Sequence, residues 1–292
     1  MEWRFGDRRT KRRRLKIAAP WLPHEDSRSI CVGVVLKNNL AKLILTLAFF
    51  AVSREPGLAQ IAPGQFNDLI VKQARQMPQG GRYSASRAAT TQLQSAVQFE
   101  PGNLIFLPHA PTPSYCSGAT YFVFLRIIAA LQAHGKLHLD DATLKSLLVR
   151  GQRDGAGIWG RWNANGPGTA RLFHEMKLGQ NFDDFAEAQA GDFMKIFWSS
   201  EVGRAERGHS VIYLGREQKE GVEHVRFWSS NIPKGYGEKS VPRSKIIHAI
   251  FSRLDAPGNL ARVQNAAAVD KYLASLLSVR SSYAEAKDKC GM

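Results

Sequence analysis

The sequence predicts an α+β domain, and three observations carry that reading. Helical periodicity dominates the first half of the chain after residue 60, and alternating apolar and polar residues dominate three segments after residue 190. Between them lies one stretch, Tyr115 to Ala133, that is apolar nearly all round and so has to be a buried central helix. Helices first and antiparallel strands afterwards is the order of an α+β fold, in which a helix covers one face of a sheet.

At 292 residues and 44% hydrophobic content the chain can bury a full core. No run of about 18 or more consecutive apolar residues is present, and the apolar stretch Leu43 to Val52 is too short to span a membrane. Lys37 and Lys42 precede that stretch and Gly57-Leu58-Ala59 follows it, which is the pattern of a secretory signal peptide with a small-residue cleavage site. The basic residues ahead of it, from Arg8 to Lys16, belong to neither signal nor fold. Translation is therefore expected to start near Val34 or Val35, the rival being a basic arm that binds nucleic acid. Residues 1–59 hold 12 Lys or Arg against 5 Asp or Glu, a charge of +7, and the remaining 28 against 20 leave +8 of the total +15. That residue suits an anionic environment such as cell wall. It lacks the Arg clusters and interleaved aromatics of a nucleic-acid surface.

The expected organisation is a leader over 1–59, an N-terminal helical cap over 60–99, a catalytic domain over 100–255, and a C-terminal helix and tail over 256–292. In the cap, Gln65 to Gln76 and Ser86 to Val97 read as helices around a Pro78-Gln79-Gly80-Gly81 turn. Asn103 to Leu107 reads as an extended run, and Pro108, Pro111 and Pro113 stiffen the approach to Ser114 and Cys116. A helix follows at Asp141 to Arg150, and the Gly-, Trp- and Asn-rich segment 151–168 reads as an ordered loop. Strands are expected at Phe193 to Ser199, His209 to Leu214 and Glu223 to Asn231, then helices at Lys245 to Leu254 and Asn259 to Lys289.

Of three cysteines, Cys31 lies in the leader and Cys290 in a polar tail, where pairing with Cys116 is not expected. With Ser114 as N-cap, Cys116 falls in the first turn of the buried helix, where the dipole and unpaired N–H groups favour a thiolate. A base for it is sought among eight histidines. His109, in the proline loop, competes with His209, which opens a strand, follows a glycine and shares a face with Val211 and Tyr213. Alternation from Val225 and Phe227 puts Ser229 and Asn231 on one face of the next strand, and a hairpin near residue 219 brings them beside His209. Either could hold the imidazole by its second nitrogen.

Cys-Ser-Gly at a buried helix start (Cys116 to Gly118), Gly191-Asp192 before an apolar strand, and Gly-His-Ser-Val-Ile-Tyr-Leu-Gly (Gly208 to Gly215) resemble the blocks of the NlpC/P60 and CHAP peptidoglycan hydrolases. The similarity covers about residues 100–235. It implies a papain-like fold in which a buried N-terminal helix carrying the Cys packs on an antiparallel sheet carrying the His. It also implies Cys116 as nucleophile, His209 as base and an amide bond of cell-wall peptides as substrate. The chain departs from the family in Tyr115, where NlpC/P60 members carry Asp, and in having no third His. Ser229 and Asn231 match the spacing of the CHAP acid and Asn, with Ser in place of the acid, so Asn231 is the preferred orienting residue and Ser229 the reserve.

The expectation is thus a periplasmic or secreted cysteine hydrolase without a cofactor, since neither metal-ligand spacing nor a phosphate-binding glycine loop is present. Its partner is a cell-wall peptide or glycopeptide, with no nucleic acid and no membrane insertion after leader removal. Tyr115, Trp159 and Trp162 are the candidates for the substrate groove, the two tryptophans being equally readable as core plugs. A catalytically idle wall-binding module and a Cys-His acyltransferase are the competing functions.

Overall fold

The computed structural model describes residues 64–292; the expected leader lies outside them. The short helix α1 (Asn67–Arg75) turns Ile70 and Ala74 inward, and Asn67 Nδ2 donates to the buried Asp192 Oδ1 at 2.9 Å. After β1 (Gly80–Gly81), α2 (Arg87–Ala96) starts where Ser86 Oγ accepts the Ala89 N–H. A hairpin of β2 (Val97–Glu100) and β3 (Asn103–Phe106) leads to α3 (Cys116–Ala133). This 18-residue helix is long and apolar enough to cross a membrane by composition, yet most of it is buried as the core helix.

Three helices follow: α4 (Asp141–Ser146), capped by Asp140, then α5 (Gly157–Trp162) and α6 (Gly168–Met176). The segment expected as a loop therefore contains a helix. Its Trp159 and Trp162, three residues apart, share the face that meets α3.

The strands are β4 (Gly179–Phe182), β5 (Phe193–Phe197), β6 (Val202–Gly203), β7 (Gly208–Lys219), β8 (Val222–Asn231), β9 (Gly235–Pro242) and β10 (His248–Leu254). Six of them, with β1, form a seven-stranded antiparallel sheet in the order β1-β9-β8-β7-β5-β10-β4. Side chains alternate between two clusters, as a pleated strand requires. Phe193, Ile212 and Trp228 join the core under α3, while Met194, Val211, Tyr213 and Phe227 pack with Phe182, Phe185 and Phe251. The expected helix at Lys245 to Leu254 is a 3-10 turn (Arg243–Lys245) followed by β10. An apolar run of this length suits either state, and pairing with both β4 and β5 decides for strand.

The C-terminal helix expected over Asn259 to Lys289 is also broken. A 3-10 helix (Pro257–Asn265) precedes α7 (Lys271–Ser275), β11 (Arg280–Ser281) and α8 (Tyr283–Lys289). Asp270 and Ser282 each accept an N–H three residues on and start a new helix. The described residues, 64–292, pack within one compact unit.

Candidate active site

Cys116 is the first residue of α3, and its neighbours are set by a strap formed by residues 80–84. β1 pairs with β9, the Tyr83 N–H donates to the Pro233 carbonyl at 3.0 Å, and the Ser84 N–H to the Ser114 carbonyl at 2.8 Å. Gly81, at φ +83°, has to be glycine, since a Cβ there would sit 2.5 Å from Thr112 Cγ2. The strap thus ties the approach to Cys116 to the turn that follows Asn231. Ser114, expected as the N-cap, is instead pinned in this ladder, and its buried hydroxyl donates to Ser230 Oγ at 2.8 Å. The cap position belongs to Tyr115, without a side-chain bond.

Asn231 meets His209: His209 Nε2 lies 3.1 Å from Asn231 Oδ1. The Asn231 amide can face only one way, because its Nδ2 donates to the carbonyls of Ser229 at 3.2 Å and Gly237 at 2.8 Å. With both donor hydrogens committed there, the oxygen faces the imidazole, so Nε2 carries the proton and Nδ1 is left as the free base. Phe227 holds the ring edge-on at 5.6 Å, on the face expected from the alternation. Ser229 makes no such contact; its hydroxyl donates to the Ser210 carbonyl at 2.7 Å and fixes β7 against β8. His109 is exposed in the proline loop.

Burial alone would raise the Cys116 thiol, but the hydrogen bond and charge of His209, the Ser210 N–H and the Lys195 ammonium outweigh it and bring the pKa down from 9.0 to about 6. Tyr83 was not foreseen from sequence. It lines the same cleft as Cys116, and burial first, then the charge of the neighbouring Cys116, hold the phenol neutral. It follows Gly-Gly-Arg in what reads as a polar turn, so nothing local marks it. Lys195 did leave a signal, as the one charge in the apolar strand Phe193-Met194-Lys195-Ile196-Phe197.

No protein-family model, curated protein or solved structure matches this chain.

A cleft of about 370 Å³ opens over Cys116, walled by Tyr83, Tyr115, Asp154, Lys195 and Glu206. A second hollow of about 250 Å³ lies over His209, bordered by Trp198, Arg207 and Lys239, and shares Tyr83 and Gly208 with the first. Cys116 and His209 therefore border two adjoining hollows. Of the three aromatics expected in the groove, Tyr115 lines the cleft but spends its hydroxyl on Thr90 Oγ1 at 3.0 Å. Trp159 and Trp162 are core residues, 1% and 2% exposed, packed on Tyr121 with ring centroids 5.0 and 5.3 Å away. Trp162 touches the cleft floor only at its edge and donates from Nε1 to Thr120 Oγ1 at 3.2 Å. An arrangement of acidified thiol, tautomerically fixed imidazole and neutral phenol at a cleft can carry out acyl transfer through a covalent thioester.

Proposed function

We propose that the protein is an exported cysteine hydrolase of the papain-like NlpC/P60 and CHAP kind, cleaving an amide bond in cell-wall peptides. The observation that carries this reading is the Cys116 thiol, brought down to about 6 at a helix start beside an imidazole whose Nδ1 is left free. A wall-binding module of the same fold has no use for an acidified thiol. The substrate class rests on the sequence resemblance, and export on the signal-like segment before residue 60.

In the proposed reaction the Cys116 thiolate attacks the amide carbonyl carbon, and the carbonyl electron pair moves onto oxygen. That oxyanion takes hydrogen bonds from the Cys116 backbone N–H, one of the first helical N–H groups that have no partner within the helix, and from the Tyr83 hydroxyl. His209, protonated at Nδ1 when the thiolate forms, gives that proton to the leaving nitrogen as the C–N bond breaks. Throughout, Asn231 holds the opposite nitrogen and keeps the ring in place. His209 then takes a proton from water, which attacks the thioester and releases the acid with the thiol restored.

The test is digestion of purified peptidoglycan fragments followed by mass spectrometry. The native chain should yield fragment pairs heavier by one water in total, and Cys116→Ala should yield none. Intact fragments from a chain whose Cys116 still reacts with thiol probes would remove cell-wall peptides as the substrate.

A further inference from the structure

In the wall of the cleft that Cys116 borders, beside Gly208, an ion pair is built. Lys195 Nζ lies 2.5 Å from Glu206 Oε1, with the side chains only 15% and 4% exposed. Glu206 is itself anchored, since its Oε2 accepts the Gly166 N–H at 2.6 Å and the Gly203 N–H at 3.0 Å. On β5, Lys195 stands directly opposite Ser210 of β7, and both line the cleft that Cys116 borders. Gly208 leaves the space the pair occupies: a Cβ there would meet Glu206 Oε1 at 2.5 Å and Lys195 Nζ at 2.8 Å. Burying such a pair costs desolvation that its own attraction rarely recovers with a surplus, so its retention at this place calls for a role other than stability.

We infer that Lys195 is a positioning residue for the nucleophile, a positive charge that Glu206 holds in the wall of the cleft bordered by Cys116 and whose field acts on that sulfur. The assignment rests on reading Cys116 as the nucleophile. The groups facing Cys116 are Tyr83 from the strap, Tyr115 from its own helix start, His209 from β7 and Lys195 from β5, with Asp154 and Glu206 further along the cleft. Only His209 and Lys195 among them bring positive charge. In the proposed reaction His209 hands its proton to the leaving group and its charge goes with it, whereas Lys195 takes no part in proton transfer. Lys195 is therefore the part of the field that does not depend on the protonation of the base.

The experiment is alkylation of the full chain with iodoacetamide across pH, reading the adduct on the Cys116 peptide by mass spectrometry. Native protein should label with a midpoint near about 6. Lys195→Met should move that midpoint up by about one pH unit, the low end of what one opposite charge does to a nearby acid. Lys195→Arg should bring it back. Glu206→Gln, whose amide oxygen can still accept the two glycine N–H groups, should move it down, because the carboxylate no longer offsets the ammonium. Opposite directions from two partners of one pair are an electrostatic signature that a merely structural role does not produce. A folded Lys195→Met with the native midpoint overturns the inference. Should that variant not fold, a Glu206→Gln midpoint that stays put or rises overturns it instead. A native Cys116 that labels only like an ordinary thiol would remove the hydrolase reading itself, a different outcome from either.

Discussion

Cys116 and Cys290 are both unpaired thiols beside a helix end in the same body, and their chemistry is driven in opposite directions. Cys116 opens α3, borders a cleft, and meets an imidazole, a backbone N–H and an ammonium that together pull its pKa to about 6. Cys290 follows the last residue of α8, 1% exposed among Ala170, Phe197, Ile250 and Ala286, where burial raises its pKa to about 12 and the Asp270 charge opposes Arg171 there. Burial acts against the thiolate at both sites. What separates them is that the groups around Cys116 outweigh its burial, whereas at Cys290 the Arg171 charge is opposed by both burial and Asp270. The two also sit at opposite poles of their helices, the N-terminus favouring an anion and the C-terminus opposing one.

The largest expected effect sharpens this contrast directly. Cys116→Ala should lower kcat/KM by at least about 10³-fold, as loss of a nucleophile does, and remove labelling at position 116 below pH 8, while Cys290 stays silent in the same digest. Stability should carry the same opposition. In the folded chain the Cys116 pKa lies below its ordinary 9.0, so its contribution is complete above pH 9 and is lost as pH falls toward 6. The Cys290 contribution is complete below 9 and is lost as pH rises toward 12. Denaturant titrations of the native chain and Cys116→Ala at pH 6 and 9 should converge at the lower pH and part at the higher. Equal separation at both would mean that the thiolate is not favoured by folding.

A smaller effect is expected at Asn231, which acts on Cys116 through His209. Asn231→Ala frees the imidazole to turn and to take either tautomer, so kcat should fall by roughly 10²-fold, the low end of what a positioned acid–base group contributes. KM should change little, since Asn231 lies behind the ring, and the Cys116 labelling midpoint should rise. Ser229→Ala supplies the control: its hydroxyl bonds a backbone carbonyl and not the imidazole, so its midpoint should stay native. A midpoint that moves equally in both variants would mean that packing between β7 and β8, and not the amide, orients the base.

What could be read from the sequence divides along the same line as the two cysteines. The helix carrying Cys116 was legible because α3 is apolar on every side, a pattern only a central helix tolerates. Strand alternation and a hairpin near residue 219 put both Ser229 and Asn231 beside His209, and the preference for Asn231 comes from the CHAP-like spacing. Tyr83 and Lys195 enter the cleft of Cys116 from segments 33 residues before and 79 after it in the numbering, and only the strap and the pairing of β5 with β7 bring them there. Trp159 and Trp162 were read as a loop's aromatics because Gly157, Gly160, Asn163 and Asn165 mask a six-residue helix too short to show a period. The surroundings of Cys290 were illegible for the same reason, since a 3-10 helix, two short helices and a two-residue strand replace the long helix that composition suggests.

The smallest expected effect comes from Cys290 itself. Its sulfur fills space among apolar side chains and touches nothing in the cleft, so Cys290→Ala removes one buried atom and leaves every group around Cys116 in place. Loss of that atom should cost on the order of 1 kcal/mol, comparable to a deleted buried methyl group and its small cavity. Peptide cleavage and the Cys116 labelling midpoint should both stay at their native values. The backbone at this position is held independently of the sulfur, by the Cys290 N–H on the Ala286 and Lys287 carbonyls and by Asn181 Nδ2 donating to the Cys290 carbonyl at 3.0 Å. Chemical denaturation of Cys290→Ala should therefore show a shifted midpoint with an unchanged slope. A fall in cleavage with stability intact would break the comparison, because it would make the second thiol part of the reaction and not of the core.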